Sequence, residues 1–222
     1  MRIYFNYAKK TIVLIAFIYS GVASAGAYED FFSAINRDDD RAVQSLLQRG
    51  FDPNTRNPKN LHGLFLALRE PSPKVAQLLI KAPKIDLNPI TEDGETPLMM
   101  AVFKGHIDLA VQMIDKGADV NQPGWAPLHY AATSGNVQLI KILLENHAYI
   151  DAESPNKTTP LMMAAHYGTP GAVKLLLEEG ADVSLKNDLG LTAIDFAQNA
   201  KKQDSVDVIS AFIRAQQPKG KW

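Results

Sequence analysis

No cysteine occurs among the 222 residues. That absence excludes disulfides, cysteine-ligated metals and an acylated cysteine. An oxidising compartment permits disulfides without requiring them, and a chain of this length can form a core without any. Charge of one sign is also lacking. There are 23 basic and 24 acidic residues, and with the three basic residues before Gly26 removed the net charge falls to −4. This is no footprint for nucleic acid. The apolar run from Ile12 to Ile18 is far shorter than the roughly 20 residues a membrane-spanning helix requires. No glycine-rich phosphate loop appears, and no serine sits in a Gly-x-Ser-x-Gly elbow. The five histidines are scattered, with no pair at the i, i+4 spacing and adjacent glutamate of a zinc protease helix. The run Arg37-Asp38-Asp39-Asp40-Arg41 lacks the spaced oxygen ligands, glycine and distal glutamate of an EF-hand, and reads as a solvated loop. Asn156-Lys157-Thr158 matches a glycosylation acceptor, a pattern too common by chance to carry a function. The chain therefore reads as non-catalytic, with no catalytic, cofactor-binding or metal residues.

What is present begins with Arg2, Lys9 and Lys10 ahead of the apolar run, followed by Ala23-Ser24-Ala25. That order is the layout of a secretory signal peptide over residues 1–25, with cleavage expected between Ala25 and Gly26. With no stop-transfer segment or retention tail, the expectation is a soluble periplasmic protein free of the membrane after cleavage. Secretion beyond the cell is the alternative.

The dominant feature is a repeated segment: Thr96-Pro97-Leu98-Met99-Met100-Ala101, Ala126-Pro127-Leu128-His129-Tyr130-Ala131, Thr159-Pro160-Leu161-Met162-Met163-Ala164 and Thr192-Ala193-Ile194-Asp195-Phe196-Ala197. Successive copies lie 30, 33 and 33 residues apart. A fixed period in this range signals a stacked array of small helical units. Threonine before proline supplies an N-cap and a first helical residue that loses nothing by lacking its N–H, so helices are expected to start at Pro97, Pro127 and Pro160. Gly105, Gly135 and Gly168 are expected to end them in the left-handed conformation. A second helix follows each, with apolar residues at i, i+3 and i+4: Leu109, Met113 and Ile114; Leu139, Leu143 and Leu144; Ala172, Leu176 and Leu177. Gly117 and Gly180 end these. His147 replaces the glycine in the fourth repeat, which predicts a weaker cap. Asp93-Gly94 and Leu189-Gly190 supply turns in the fingers between units.

The repeated segment, followed by Gly105-His106 and its relatives and then by Gly117-Ala118-Asp119-Val120-Asn121 or Gly180-Ala181-Asp182-Val183-Ser184, resembles the ankyrin-repeat family. The resemblance covers nearly all of the chain beyond its first 27 residues. It implies an all-α solenoid of about six helix-turn-helix repeats with short β-hairpin or loop fingers, over about 28–60, 61–94, 95–124, 125–157, 158–190 and 191–217. Residues 218–222 form a basic tail. The first two repeats and the last are degenerate, as terminal units with one flank in water tend to be. The family uses the histidines at the positions of His129 and His106 to hydrogen-bond backbone between neighbouring repeats.

Relatives in this family contact partners through finger tips and the two positions before the glycine that ends the first helix, along a concave face. Here those positions are Arg69 and Glu70, Phe103 and Lys104, Thr133 and Ser134, and His166 and Tyr167, with Trp125 in the shortened finger. The expected partner-binding residues are Phe103, Lys104, Trp125, Thr133, Ser134, His166 and Tyr167. Large aromatics of this kind dominate interface energetics. Trp125 has an equal second reading, as a cover for the shortened loop. The paired methionines, Met99-Met100 and Met162-Met163, read first as packing between repeats.

Function then follows from the surface. The first reading is a non-catalytic periplasmic adaptor, expected to be monomeric, whose groove binds another exported protein. Similar exported bacterial ankyrin proteins are linked to periplasmic catalase and protection against peroxide. The second reading is an immunity or inhibitor protein that neutralises a toxic enzyme delivered to the periplasm. A third, haem ligation by His166 and Tyr167, is disfavoured because adjacent helical residues point about 100° apart.

Overall fold

A computed structural model describes residues 26–216; the expected signal peptide, residues 1–25, and residues 217–222 lie outside them. It divides into two compact units that meet in sequence at Ile85 and Asp86.

The first unit contains α1 (26–36), α2 (Asp40–Gln48), α3 (Gly63–Arg69) and α4 (Pro73–Lys81). Its core holds Phe31, Ile35, Val43, Leu64, Leu68, Leu79 and Ile80, all fully buried. Each such side chain contributes about 1.5–3 kcal/mol over its exposed state. The acidic run is more than a solvated loop. Asp39 caps α2 by accepting from the Ala42 N–H at 3.0 Å. Asp38, at φ 53°, accepts from the Val75 N–H at 2.9 Å and so ties the α1–α2 turn to α4. His62, which carried no signal in the sequence, is buried and caps α3 through Nδ1, which accepts from the Leu64 N–H at 3.2 Å.

The second unit stacks four helix pairs: α5 (Pro97–Phe103) with α6 (Ile107–Asp115), α7 (Pro127–Ser134) with α8 (Val137–Glu145), α9 (Pro160–His166) with α10 (Pro170–Glu178), and α11 (Ala193–Asn199) with α12 (Gln203–Gln216). The first helices α5, α7, α9 and α11 pack side by side in one layer, and α8, α10 and α12 in a second. The start at Pro97, Pro127 and Pro160 is as the caps require, with the Thr96 and Thr159 hydroxyls accepting from the Met99 and Met162 N–H groups. Leu98, Leu128, Leu161, Leu139, Leu143 and Leu176 are fully buried between the layers.

Met99, Met100 and Met162 are buried, which bears out packing as their role, while Met163 is half-buried. His147 holds the glycine conformation at φ 66°.

The fingers take the loop form: among the described residues the only β-pairing outside helices is a single bridge between Arg56 and His62. One expectation about the glycines is corrected. Gly105 and Gly135 do adopt positive φ, at 76° and 67°, but Gly168 does not. Gly168 serves close approach instead. A Cβ there would collide with the Ala132 carbonyl oxygen and meet Ala164 backbone atoms at 2.9 Å, so only glycine lets α9 end against α7. His129 makes the expected bond to the neighbouring repeat, and His106 stands at the N-cap of α6 without a side-chain bond to that helix.

Candidate functional site

The layer of first helices and the fingers between them carry a set of exposed and half-buried aromatic side chains. Phe103 is 47% exposed at the end of α5 and lies edge-on to Tyr130, with ring centroids 6.0 Å apart. The Tyr130 hydroxyl donates to Glu95 Oε1 at 3.2 Å. Burial, and then the adjacent Glu95 carboxylate, pushes the Tyr130 pKa well above the usual phenol range, so the hydroxyl stays a donor.

One repeat further along, a cleft of about 340 Å³ opens between successive fingers and the ends of α9 and α11. Trp125 and the Tyr167–His166 pair line it, together with Phe196 and Leu189. Tyr167 is 58% exposed and packs edge-on to His166 at 4.2 Å, and His166 in turn meets Phe196 at 5.9 Å. Trp125 is half-buried and leans edge-on against His129 at 5.2 Å. It thus packs against buried His129 while also lining the cleft.

The structure thus brings together three of the expected residues, Trp125, His166 and Tyr167. Phe103 stands apart, on the Tyr130 pair. Lys104 is exposed at the C-cap of α5. Thr133 and Ser134 turn their hydroxyls back onto their own helix, donating to the His129 and Ala131 carbonyls at 2.8 and 3.0 Å. In the first unit, Arg69 and Glu70 are ion-paired to each other at 3.1 Å.

The sequence reading missed Leu189, Phe196, Asn156, Asn187 and Asn199. A signal was available for Leu189. It is an apolar residue directly before the turn glycine, where the earlier finger carries Asp93, and it is 78% exposed.

Behind the cleft, His129 fixes the two fingers. Its Nδ1 accepts from the Ala126 N–H at 3.1 Å while Nε2 lies 2.9 Å from the Thr158 carbonyl oxygen. Burial lowers its pKa from the usual value, which suits the neutral ring this two-sided bonding demands. Among the described residues no group of three or more histidine, cysteine, aspartate or glutamate side chains could hold a metal ion. No described helix is long and apolar enough to cross a membrane. The arrangement offers contact area and hydrogen bonds.

Comparison with known proteins agrees with this architecture. The family described as ankyrin repeats in three copies matches residues 31–123, 64–153 and 128–216. The human transient receptor potential cation channel subfamily A member 1 is 30% identical over 161 residues, 68% of this chain and 14% of that protein. Alpha-latrocrustotoxin-Lt1a of Latrodectus tredecimguttatus is 34% identical over 148 residues, 65% of this chain and 10% of the toxin. The chain thus spans a small fraction of these relatives, the part that carries their similarity to it. Among solved structures, the complex of the Bd0816 predatory endopeptidase from Bdellovibrio bacteriovorus with immunity protein Bd3460 contains a chain that superposes with a TM-score of 0.72 at 28% identity. The match covers 82% of this chain and 97% of that one. The stacked helix pairs, the turn fingers between them and these matches agree: the chain belongs to the ankyrin-repeat family.

Proposed function

We propose that this protein is a non-catalytic binding module that seizes and neutralises a partner enzyme through the first-helix and finger face of its second unit. The observation that carries this reading is the similarity to a chain of the endopeptidase–immunity protein complex. It runs along 97% of that chain's length rather than through a shared fragment. The exposed aromatics support it: Phe103, Trp125 and Tyr167 stand on the face where a stacked-repeat protein meets its partner, and side chains of this type form interface hot spots. An exported, periplasmic setting is part of the same proposal, resting on the charged, apolar and small-residue order of residues 2–25. The adaptor reading, with catalase as the assisted enzyme, has only family resemblance behind it.

The test is capture of partners from extracts of the source organism, with a variant in which Phe103, Trp125 and Tyr167 are alanine as the control. The activity of each purified partner is then titrated with the protein. A captured hydrolase that loses activity at one equivalent supports neutralisation. A captured enzyme whose activity is unchanged or raised would replace it with the adaptor reading. Equal capture by the alanine variant would remove this face from either account.

A further inference from the structure

The cleft between the last two fingers has an unusual chemical balance for a chain in which 21% of all residues are charged. No aspartate, glutamate, lysine or arginine lines it. The charges at its rim, Lys157 and Asp188, face one another at 4.0 Å. Its walls are Leu189, Leu191, Phe196, Met163 and the Trp125 and Tyr167 rings.

The carboxamide oxygens of Asn156 and Asn187 at its floor are already engaged. The Asn156 side-chain oxygen accepts from the Ser154 hydroxyl at 2.6 Å and the Thr158 N–H at 3.4 Å. The Asn187 side-chain oxygen accepts from the Leu189 and Leu191 N–H groups at 3.1 and 3.0 Å. The main-chain carbonyls behave alike. Asn156 O accepts from the Asp188 N–H, Leu191 O from the Asn187 N–H, and Thr158 O from the Ser154 N–H as well as bonding His129. What Asn156, Asn187 and Trp125 retain for an incoming group are donors, the two carboxamide NH₂ groups and the donor-only indole N–H, while Thr158, His166, Tyr167 and Asn199 complete the lining with groups that can also accept.

From this balance we infer that the cleft is a specificity subsite that takes an uncharged, apolar side chain of the partner, with flanking main-chain carbonyls accepting from Asn156, Asn187 and Trp125, and with Leu189 as its exposed anchor. The inference rests on the partner-binding reading and sharpens it. A charged side chain would enter a site with no counter-charge and lose its hydration without compensation. An apolar residue on extended backbone brings the acceptors that the donors lack, and burying those donors unpaired would cost binding. A carboxylate could also accept from them, and this is the alternative the test addresses.

The probe is the capped neutral pentapeptide acetyl-Gly-Gly-Leu-Gly-Gly-amide, with its aspartate and lysine counterparts, titrated to the solubility limit into the ¹⁵N-labelled protein. The chain has two tryptophans, so Trp125→Phe assigns the indole N–H signal. The expected result is a saturable shift of the Trp125 indole and the Asn156 and Asn187 carboxamide signals with the leucine peptide alone. Leu189→Asp and Asn199→Asp, both at exposed positions, should abolish it. An unmoved indole signal, or an equal shift with the aspartate peptide, overturns the inference. With the captured partner, Leu189→Asp should weaken binding at least tenfold. If the partner binds this variant unchanged and the leucine peptide fails, the subsite is wrong while the partner reading stands. If the peptide binds selectively and no partner is captured, the partner reading fails alone.

Discussion

His129 joins two successive repeats through one ring: Nδ1 accepts the Ala126 N–H at 3.1 Å, and Nε2 meets the Thr158 carbonyl oxygen of the next finger at 2.9 Å. In the neighbouring repeats the same position holds Met99 and Met162. Their sulfurs accept the equivalent N–H groups of Thr96 and Thr159 at 3.4 Å but cannot donate onward. This ring position therefore ties one seam and leaves the seams at Met99 and Met162 to other polar contacts, such as Tyr130 with Glu95 and the Asp188 N–H with the Asn156 carbonyl.

That tie makes stability pH-dependent. Burial holds the His129 pKa below its ordinary value of 6.5. The unfolded chain thus binds the proton more readily than the folded one as pH falls through 6.5. The stabilising contribution is complete above that value and is lost as pH drops through the lower, folded-state pKa. Urea unfolding of the protein and of His129→Met between pH 7.5 and pH 5 should give a steeper fall for the wild type. Parallel profiles would show that the ring is not held neutral.

Gly168 has no left-handed conformation to protect, so its replacement tests contact alone. Gly168→Ala would drive a methyl group into the Ala132 carbonyl and the Ala164 backbone, which cannot rotate away. A loss at or above the roughly 1–3 kcal/mol of overpacking is expected in chemical denaturation. A change below 0.5 kcal/mol, the range of ordinary surface substitutions, would contradict the packing of α9 against α7.

His147 occupies the left-handed region at φ 66°, in the slot where the other repeats have Gly117 and Gly180. A side chain there costs about 1–2 kcal/mol, partly offset because glycine enlarges the freedom of the unfolded chain. His147→Gly should raise stability by up to about 1 kcal/mol, read as a higher denaturation midpoint with an unchanged slope. A lower midpoint would show that the imidazole contributes more than its backbone strain removes.

The repeat register is checked at Leu143, fully buried in α8. Leu143→Ala should cost roughly 2–5 kcal/mol as a core truncation. By contrast, Tyr167→Ala removes a ring that is 58% exposed. It should leave stability within about 0.5 kcal/mol while weakening partner binding by more than about 1 kcal/mol. A Tyr167→Ala variant that melts early but binds normally would reverse the roles assigned to the two residues.

Fold was legible in the sequence because each signal is local. Thr96-Pro97 and Thr159-Pro160 carry their own caps, and the spacing of Leu139 and Leu143 states which side of α8 is buried, although Leu144 is half-buried and Ile140 takes the third buried place. The misreadings share a cause, which is that they depended on neighbours distant in the chain. Gly168 looked like another helix terminator, but the atoms that require glycine there belong to Ala132, 36 positions earlier. Asp38 looked like solvated charge until α4 offered it the Val75 N–H. For the candidate site, the contact positions that the family resemblance implies pointed to Trp125, His166 and Tyr167, which line the cleft. They could not show that Thr133 and Ser134 bond their own helix, nor that Leu189, Phe196 and Asn156 come from different repeats to share one cleft.

The central claim is that the first-helix and finger face of the second unit holds a partner protein. It is tested most directly by site-specific photo-crosslinking in cells of the source organism. A photoreactive phenylalanine analogue is installed at Tyr167 on that face and, separately, at Lys141 on the exposed side of α8. The account predicts one discrete crosslinked protein from position 167, lost with Leu189→Asp in the same chain, and none from position 141. A crosslink from position 141 with none from position 167 would contradict it.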